Sequence, residues 1–524
     1  MTFESAWHTH PSGCVLQAPF DPFAFIQLWA AWRTAADRPH VLHVVAHCEH
    51  APELADISSA LHACSSDAAL QPLAQQLIDQ WWGLLPGQHR LRFENAQVCL
   101  TLHIGQAAID MATASHSLLH TASKKTTSQH TATNSSQPLL VTDTLAEDDA
   151  SANQTVIVIG AGIAGAATAR ALAVRGWRVQ VLDAGDSPAS GASGLPVGLV
   201  APHTSPDDSI ISRLSRAGVR AMHHILQSLL TVGVDWSPTG VQERRLPGKT
   251  RKGGAPQHWS TNYKTAGDAW TRAATPPAPT NALWHEKGAW LRPAILVEAL
   301  LDHPNITWQG GASVSALAHA QGQWQALHND RVLAQAARVV IACGPASRGL
   351  IQHVTQQTWP INPLRGQVSW GLMQDIADVA LPDTPVNGNG SFVHHVPTSE
   401  GPAWFAGSTF DRVNATTEIF TNDHQENFQR LQALLPDTAE GLQSVFEHSV
   451  RGWAGVRCSV PDRLPVVGPV DQAPAGLWVN TAMGSRGLTL AVLCAELLAA
   501  RWHHEPLPVE PQLAQALNAQ RYQR

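Results

Sequence analysis

The stretch TVIVIGAGIAGAATARALAVRGWRVQVLDAG, from Thr155 to Gly185, constrains the fold more than any other part of the chain. Its apolar run Val156–Ile159 reads as a buried parallel strand. Gly160-x-Gly162-x-x-Gly165 follows at once, and the alanine-rich run up to Arg175 reads as a helix closed by Gly176. Arg178–Leu182 is then a second strand, ending at Asp183. Each residue type answers a physical need. Gly160 permits the tight turn, Gly162 lets the backbone approach a pyrophosphate, and Gly165 lets helix and strand pack closely. The helix N-terminus turns unpaired N–H groups and a positive dipole toward phosphate, and Asp183 can accept from ribose hydroxyls. A glycine triplet alone is weak evidence. The complete strand–turn–helix–strand–acid unit defines a dinucleotide site in a Rossmann-like α/β sheet.

The far end of the chain indicates which dinucleotide. LWVNTAMGSRGLTLAVLCAELLAA (477–500) is another apolar strand, a glycine turn at Gly484-Ser485-Arg486-Gly487, and a long helix beginning at Leu488. A second helix N-terminus suits a flavin, whose ring gains negative charge near N1 and C2=O on reduction. RVVIACG (338–344) reads as a strand returning to the nucleotide sheet. FAD is the expected cofactor. Cys343, at the end of that buried strand, reads as core and not as a covalent flavin link.

Composition divides the chain into zones. Residues 1–111 mix apolar and polar types like a folded segment: LAQQLIDQWWGLL (73–85) has helical spacing, and RLRFENAQVCLTLHIG (90–105) alternates like a hairpin. Residues 112–153 are rich in Ser, Thr, Ala and His with no apolar period, which predicts a disordered linker. Strand and helix patterns resume over 154–507, and 508–524 reads as a tail. Within 154–507 the nucleotide-binding parts fall at about 154–205, 330–350 and 455–505. An inserted α+β substrate domain takes about 206–329 and 351–454.

With 14% charged and 44% apolar residues among 524, a large core is available, and the net charge of −7 argues against a generally basic nucleic-acid binder. Against that acidity, Arg244, Arg245, Lys249, Arg251 and Lys252 cluster in GVQERRLPGKTRKGG, which reads either as a phosphate-contact patch or as a solvated loop. Seven scattered cysteines, never in a CxxC pair, fit a reducing compartment and give no metal framework. The pairs His223-His224, His394-His395 and His503-His504 lack metal-ligand spacing, so no metal is expected. The N-terminus has no basic segment followed by an apolar run, and GLTLAVLCAELLAARW is too short for a bilayer span and carries Glu496. These features predict a cytoplasmic protein with no membrane partner.

Six segments carry a resemblance: PASGASGLPVGLVAP (188–202), GAWLRPAILVEALL (288–301), PLRGQVS (363–369), AGSTFDR (406–412), VRCSVPDRLPVVGP (456–469) and GSRGLT (484–489). In this order they resemble the FAD-dependent amine oxidoreductases of the D-amino-acid oxidase and glycine oxidase type. More closely, they are similar to the C-terminal half of the bifunctional bacterial enzymes that build 5-methylaminomethyl-2-thiouridine at the tRNA wobble position. The resemblance implies tRNA as partner, and oxidative removal of the carboxymethyl group from 5-carboxymethylaminomethyl-2-thiouridine as the reaction. It places Ser193 and Gly194 at the flavin beside the two glycine turns, and there the chain departs from the family, with Leu195 where Asn is usual. A glycine-like carboxylate asks for an arginine fork. The resemblance implies Arg457 as that anchor, with Arg365 as second candidate; a structural pairing of Arg457 with Asp462 or Asp411 is the alternative.

Residues 24–108 resemble a worn piece of the same family's S-adenosylmethionine-dependent methyltransferase half, through AFIQLWAAWR, RPHVLHVVAHCEH, PLAQQLIDQWWGLLPGQHRLRFE and LTLHIGQAA. Where the family has its glycine-rich cofactor loop, the chain reads Ala18-Pro19-Phe20-Asp21-Pro22-Phe23. Without glycines the backbone cannot approach a cofactor in the same way. The family's acidic residue falls on Cys48, its GDA segment reads Gly105-Gln106-Ala107, and its Asp-Gly-Phe loop is missing. The expectation is a truncated α/β methyltransferase-like segment that binds no S-adenosylmethionine and has lost its activity. Two other readings stay open: a small-molecule D-amino-acid or glycine-type oxidase or dehydrogenase, and a flavin-binding scaffold.

Overall fold

The computed structural model describes residues 14–17, 19–105, 154–244, 270–274, 282–376 and 378–523. The expected linker at 112–153 lies outside these residues, as do Ala18, Gln106, Ala107, Arg245, Lys249, Arg251 and Lys252.

The strand Thr155–Ile159 lies inside a six-stranded sheet. Its order is Ile306–Gln309, Arg178–Leu182, Thr155–Ile159, Arg338–Ile341, Leu477–Thr481, Val466–Pro469. All neighbours run parallel except the last pair. Such a sheet must be covered on both faces, which explains the unbroken apolar runs. Val156 and Val158 face the helices Ile163–Val174 and Gly487–Trp502. Ile157 and Ile159 face a three-stranded antiparallel sheet, Ala316–Ala320, Gln323–His328 and Arg331–Ala336.

The second layer is an eight-stranded sheet. Its order is Thr271–Ala273, Leu283–His285, Val241–Glu243, Val386–Gly388, Gly390–Val396, Ala403–Gly407, Asn362–Leu372, Arg451–Ser459. The helices Thr421–Leu434 and Pro436–His448 share a core with this sheet through Phe392, Trp404 and Leu442.

Four expectations about boundaries move. Ile306–Gln309 extends the nucleotide sheet although it lies inside the stretch assigned to the substrate domain, and Arg451–Ser459 belongs wholly to the eight-stranded sheet. The expected tail is packed: Val467 N–H donates to Leu517 O (2.9 Å), and Leu513, Leu517 and Ala519 are buried. The expected helix at 73–85 spans Gln71–Gln80. It stops there because Trp81 turns inward, donating from Nε1 to Pro52 O (2.9 Å).

Residues 14–105 form their own small α/β unit, a four-stranded sheet in the order Cys14–Gln17, Leu42–Cys48, Val98–Ile104, Gly87–Phe93. The hairpin expected at 90–105 is its antiparallel edge. Phe25, Trp29 and Phe93 fill its centre, with rings 4.7–6.0 Å apart. This unit docks on the oxidoreductase part through buried charges. Arg175, the C-cap of the helix Ile163–Val174, donates to Glu505 (2.7 and 2.8 Å) and to Glu496 (3.1 Å). From the N-terminal side, His43 reaches Glu505 (3.2 Å) and Arg92 reaches Glu496 (3.7 Å). Across the same seam Arg220 stacks on Trp82 (4.1 Å) and donates to Gln80 O (3.0 Å).

Candidate active site

The C-terminal ends of the parallel strands and one face of the eight-stranded sheet enclose a cavity of about 910 Å³. A doubly wound sheet binds its ligand at this end, outside the carboxyl ends of its strands. Gly160, Gly162, Asp183, Ser193, Gly484 and Arg457 all line it, as do Ser485, Arg486, Gly487, Leu488 and Leu195. Gly165, Gly194 and Arg365 do not.

The nucleotide end follows from the glycines. Gly160 has φ +109°, and a Cβ there would sit 2.6 Å from Ala342 O. A Cβ on Gly165 would meet Gly160 O at 1.8 Å, so this glycine serves helix–strand packing. Gly162 differs: within the protein its Cβ would approach only Ser193 Oγ, at 3.2 Å. The space beside Gly162 is therefore kept for something that is not protein. Ile163 N–H at the helix N-terminus donates to Ser193 Oγ (2.9 Å). Asp183 accepts from Ala161 N–H (2.6 Å) and Gly185 N–H (2.8 Å). Those bonds fix its carboxylate at the cavity wall with lone pairs left over. At the far end Gly484, at φ +57°, starts the turn that leads into the helix Gly487–Trp502. Cavity, glycine cradle and paired helix N-termini fit FAD.

Arg457 comes from the edge strand Arg451–Ser459. Its Nη2 donates to Thr409 O (3.2 Å) and lies 3.4 Å from Ser408 Oγ, and the guanidinium sits 4.8 Å from the Phe410 ring centre. Among the described residues no carboxylate lies within 4.0 Å of it. Asp462 pairs instead with Arg521 (2.8 Å), and Asp411 accepts from Val413 N–H and Asn414 N–H. Burial pushes the Arg457 guanidinium down to about 10, which leaves it charged at neutral pH. A half-buried charge held only by neutral acceptors is suited to receive an anion.

Arg365 is corrected by the structure. It is fully buried, ion-paired with Asp423, and donates to Thr416 O (2.9 Å), Gln367 Oε1 (3.0 Å) and Glu418 O. Its donors are spent on ordering the segment 416–423. The useful residue of LRGQ is Gly366, where a Cβ would lie 1.8 Å from Arg457 Nη2. Cys343 lines the cavity with its thiol pushed up to about 12 by burial, so it stays protonated.

Arg244 of the basic cluster also lines the cavity, and with it a group of wall residues that the motifs did not announce: Glu243, Asn387, Gly388, Ser391 and His203. Only the run Asn387-Gly-Asn-Gly390 hints at a tight turn. Arg244 donates to Gln242 Oε1 (2.6 Å) and Leu434 O (2.9 Å), and burial holds its guanidinium below the usual arginine value. Among the described residues no helix is long and apolar enough to cross a membrane, and no group of His, Cys, Asp and Glu could hold a metal ion.

Residues 155–501 match the FAD dependent oxidoreductase family. With the cradle and the cavity described above, the chain is an FAD-dependent oxidoreductase. It is also similar over nearly its whole length to proteins named tRNA 5-methylaminomethyl-2-thiouridine biosynthesis bifunctional protein MnmC. The one from Polaromonas naphthalenivorans is 41% identical over 98% of this chain and 91% of its own, and the one from Paracidovorax citrulli 42% identical over 98% and 93%. The chain belongs to this bifunctional family. The first alignment runs over 588 residues, more than the 524 of the chain, so it opens gaps on this chain's side. Glycine oxidase from Bacillus cereus (TM-score 0.55, 18% identity, 69% of this chain and 98% of that one) shares the fold. So does iminodiacetate oxidase from Chelativorans sp. (TM-score 0.53, 21% identity, 68% and 97%).

Proposed function

We propose that the chain removes the carboxymethyl group from 5-carboxymethylaminomethyl-2-thiouridine at the wobble position of tRNA in the cytoplasm, leaving the 5-aminomethyl base and glyoxylate. The observation that carries this reading is Arg457, a half-buried guanidinium without an acid partner among the described residues, in the wall of the cavity that the glycine cradle opens into. A substrate ending in –NH–CH₂–COO⁻ brings the missing carboxylate, and the fork orients it. FAD bound in the cavity supplies the two-electron acceptor for the C–H bond beside the amine, after which water cleaves the imine. The remaining work of the protein is positioning. Phe410 and Thr409 hold the guanidinium, Gly366 makes room for it, and the Ser193-capped helix end would receive the pyrophosphate. Arg244, on the cavity wall at the end of the basic cluster, extends the positive lining toward the phosphates of an RNA substrate.

The N-terminal unit takes no part in this chemistry. The amides of the helix Pro22–Thr34, where a cofactor loop would sit, are capped by Asp21 (2.9 and 3.1 Å), and Phe20 stacks on Trp81 at 5.5 Å. We infer that it binds no S-adenosylmethionine and transfers no methyl group. Mass spectrometry of wobble nucleosides from a deletion strain tests the reading: the carboxymethylaminomethyl base should accumulate and disappear on complementation. Unchanged nucleosides, together with turnover of glycine or sarcosine by the purified protein, would replace it with a small-molecule oxidase.

A further inference from the structure

A second cavity of about 500 Å³ abuts the first. His203 and Arg486 line both, so these two side chains form the wall between them. Its other side is bounded by Ser205, Ser209 and Ile211 on one bank and by Asp462, Arg463 and Leu464 on the other. Asp207, Asp462 and Arg463 are exposed, so this cavity reaches solvent.

Its position relative to the main mouth is informative. Glu243, Arg244, Asn387 and Gly388 line the main cavity from the third and fourth strands of the eight-stranded sheet. Arg457 lines it from the eighth, and Asp462–Leu464 follow that strand directly. The third and eighth strands, and the residues they bring to the two cavities, lie five strand spacings apart, on the order of 24 Å along the sheet. A polynucleotide whose wobble base reaches Arg457 from the Arg244 side would fill the mouth for as long as it is bound. The small rim mixes Asp207 and Asp462 with Arg463 and offers a polyanion no net attraction.

We propose that the second cavity is a separate passage between the reaction chamber and solvent. Through it the small 2-oxo acid product leaves while the macromolecular substrate still occupies the mouth. His203 and Arg486 are the partition that moves. His203 is placed for this by a hydroxyl relay: its Nδ1 lies 3.0 Å from Ser212 Oγ, which meets Ser205 Oγ (2.9 Å) and Ser209 Oγ (3.2 Å). This inference rests on the tRNA reading above.

The test plugs the passage from either bank with Leu464→Trp or Ile211→Trp in the full-length FAD-loaded protein, and compares two substrates. One is tRNA carrying the modified wobble base; the other is the free carboxymethylaminomethyl nucleoside, which leaves the mouth open when its product departs. Both variants should keep the flavin spectrum and the rate of anaerobic flavin reduction. Turnover of tRNA should fall about tenfold, and turnover of the nucleoside by less than about twofold, because release and not chemistry becomes limiting. Equal effects on the two substrates, or no effect on either, would overturn the passage while leaving the tRNA reading intact. Failure of the unmutated protein to turn over tRNA, with the nucleoside oxidised, would remove that reading and the passage with it. If one variant loses FAD, the other decides.

Discussion

Three glycines with one motif in common differ in what they tolerate. Gly162→Val should leave a folded, colourless protein, because inside the chain only the rotatable Ser193 hydroxyl stands in the way and the pyrophosphate is what the new side chain displaces. Gly165→Ala should instead lower the melting temperature of apoprotein and holoprotein alike, since its Cβ would have to push back the Gly160 carbonyl. Absorbance at the flavin bands and a melting curve separate the two outcomes. Arg457→Ala should keep the flavin and cost the carboxylate contact, roughly 2–4 kcal/mol, read as a loss of about 30- to 1000-fold in kcat/KM for the carboxymethylaminomethyl substrate. Arg457→Lys should recover only part of it, because a point charge cannot reproduce the fork. The sequence could show the glycine spacing, and the family resemblance put Arg457 ahead of Arg365 as anchor. The residues themselves could not show why, because that difference is a matter of partners: Asp423 and the carbonyls of 416 and 418 claim one arginine, and no described acid claims the other.

At the scale of elements, patterning was readable wherever a strand has both faces covered. Thr155–Ile159, Arg338–Ile341 and Leu477–Thr481 all show as apolar runs. The edge strand Ile306–Gln309 was missed because it is largely exposed, with a single apolar residue meeting the core. The seam between the N-terminal sheet and the helix Gly487–Trp502 was equally invisible, since its arginines and histidines read as surface residues. Its titration behaviour can be stated in advance. Burial holds His89 at about 4, His224 at about 3 and His503 at about 4, below an ordinary value near 6.5. Unfolded, these rings take up protons as the pH falls through 6.5; folded, they do not. Stability is therefore full above about pH 6.5 and declines from there toward about pH 4. Glu496 and Glu505, both held low by Arg175, keep their charge throughout that window. The melting temperature should drop steadily from pH 7 to pH 5; a flat profile would contradict the burial of these rings.

For the whole molecule, the N-terminal unit is a structural part of the oxidoreductase. Residues 154–524 expressed alone should still bind FAD, because Arg175, Glu496 and Glu505 satisfy one another within that part. The truncated protein should nevertheless melt several degrees lower, since Trp270 and Arg220 lose the cover of Trp82. An unchanged melting temperature would show that the seam adds nothing. The helix Ile163–Val174 joins these matters over its 12 residues, or about 18 Å. One end would face the pyrophosphate, and the other is Arg175, held by Glu496 and Glu505 of the same part. That grip survives the loss of the small sheet. Bright free flavin should therefore appear when this inner clamp is cut, and its light reports on the clamp and not on whether the distant small sheet is seated.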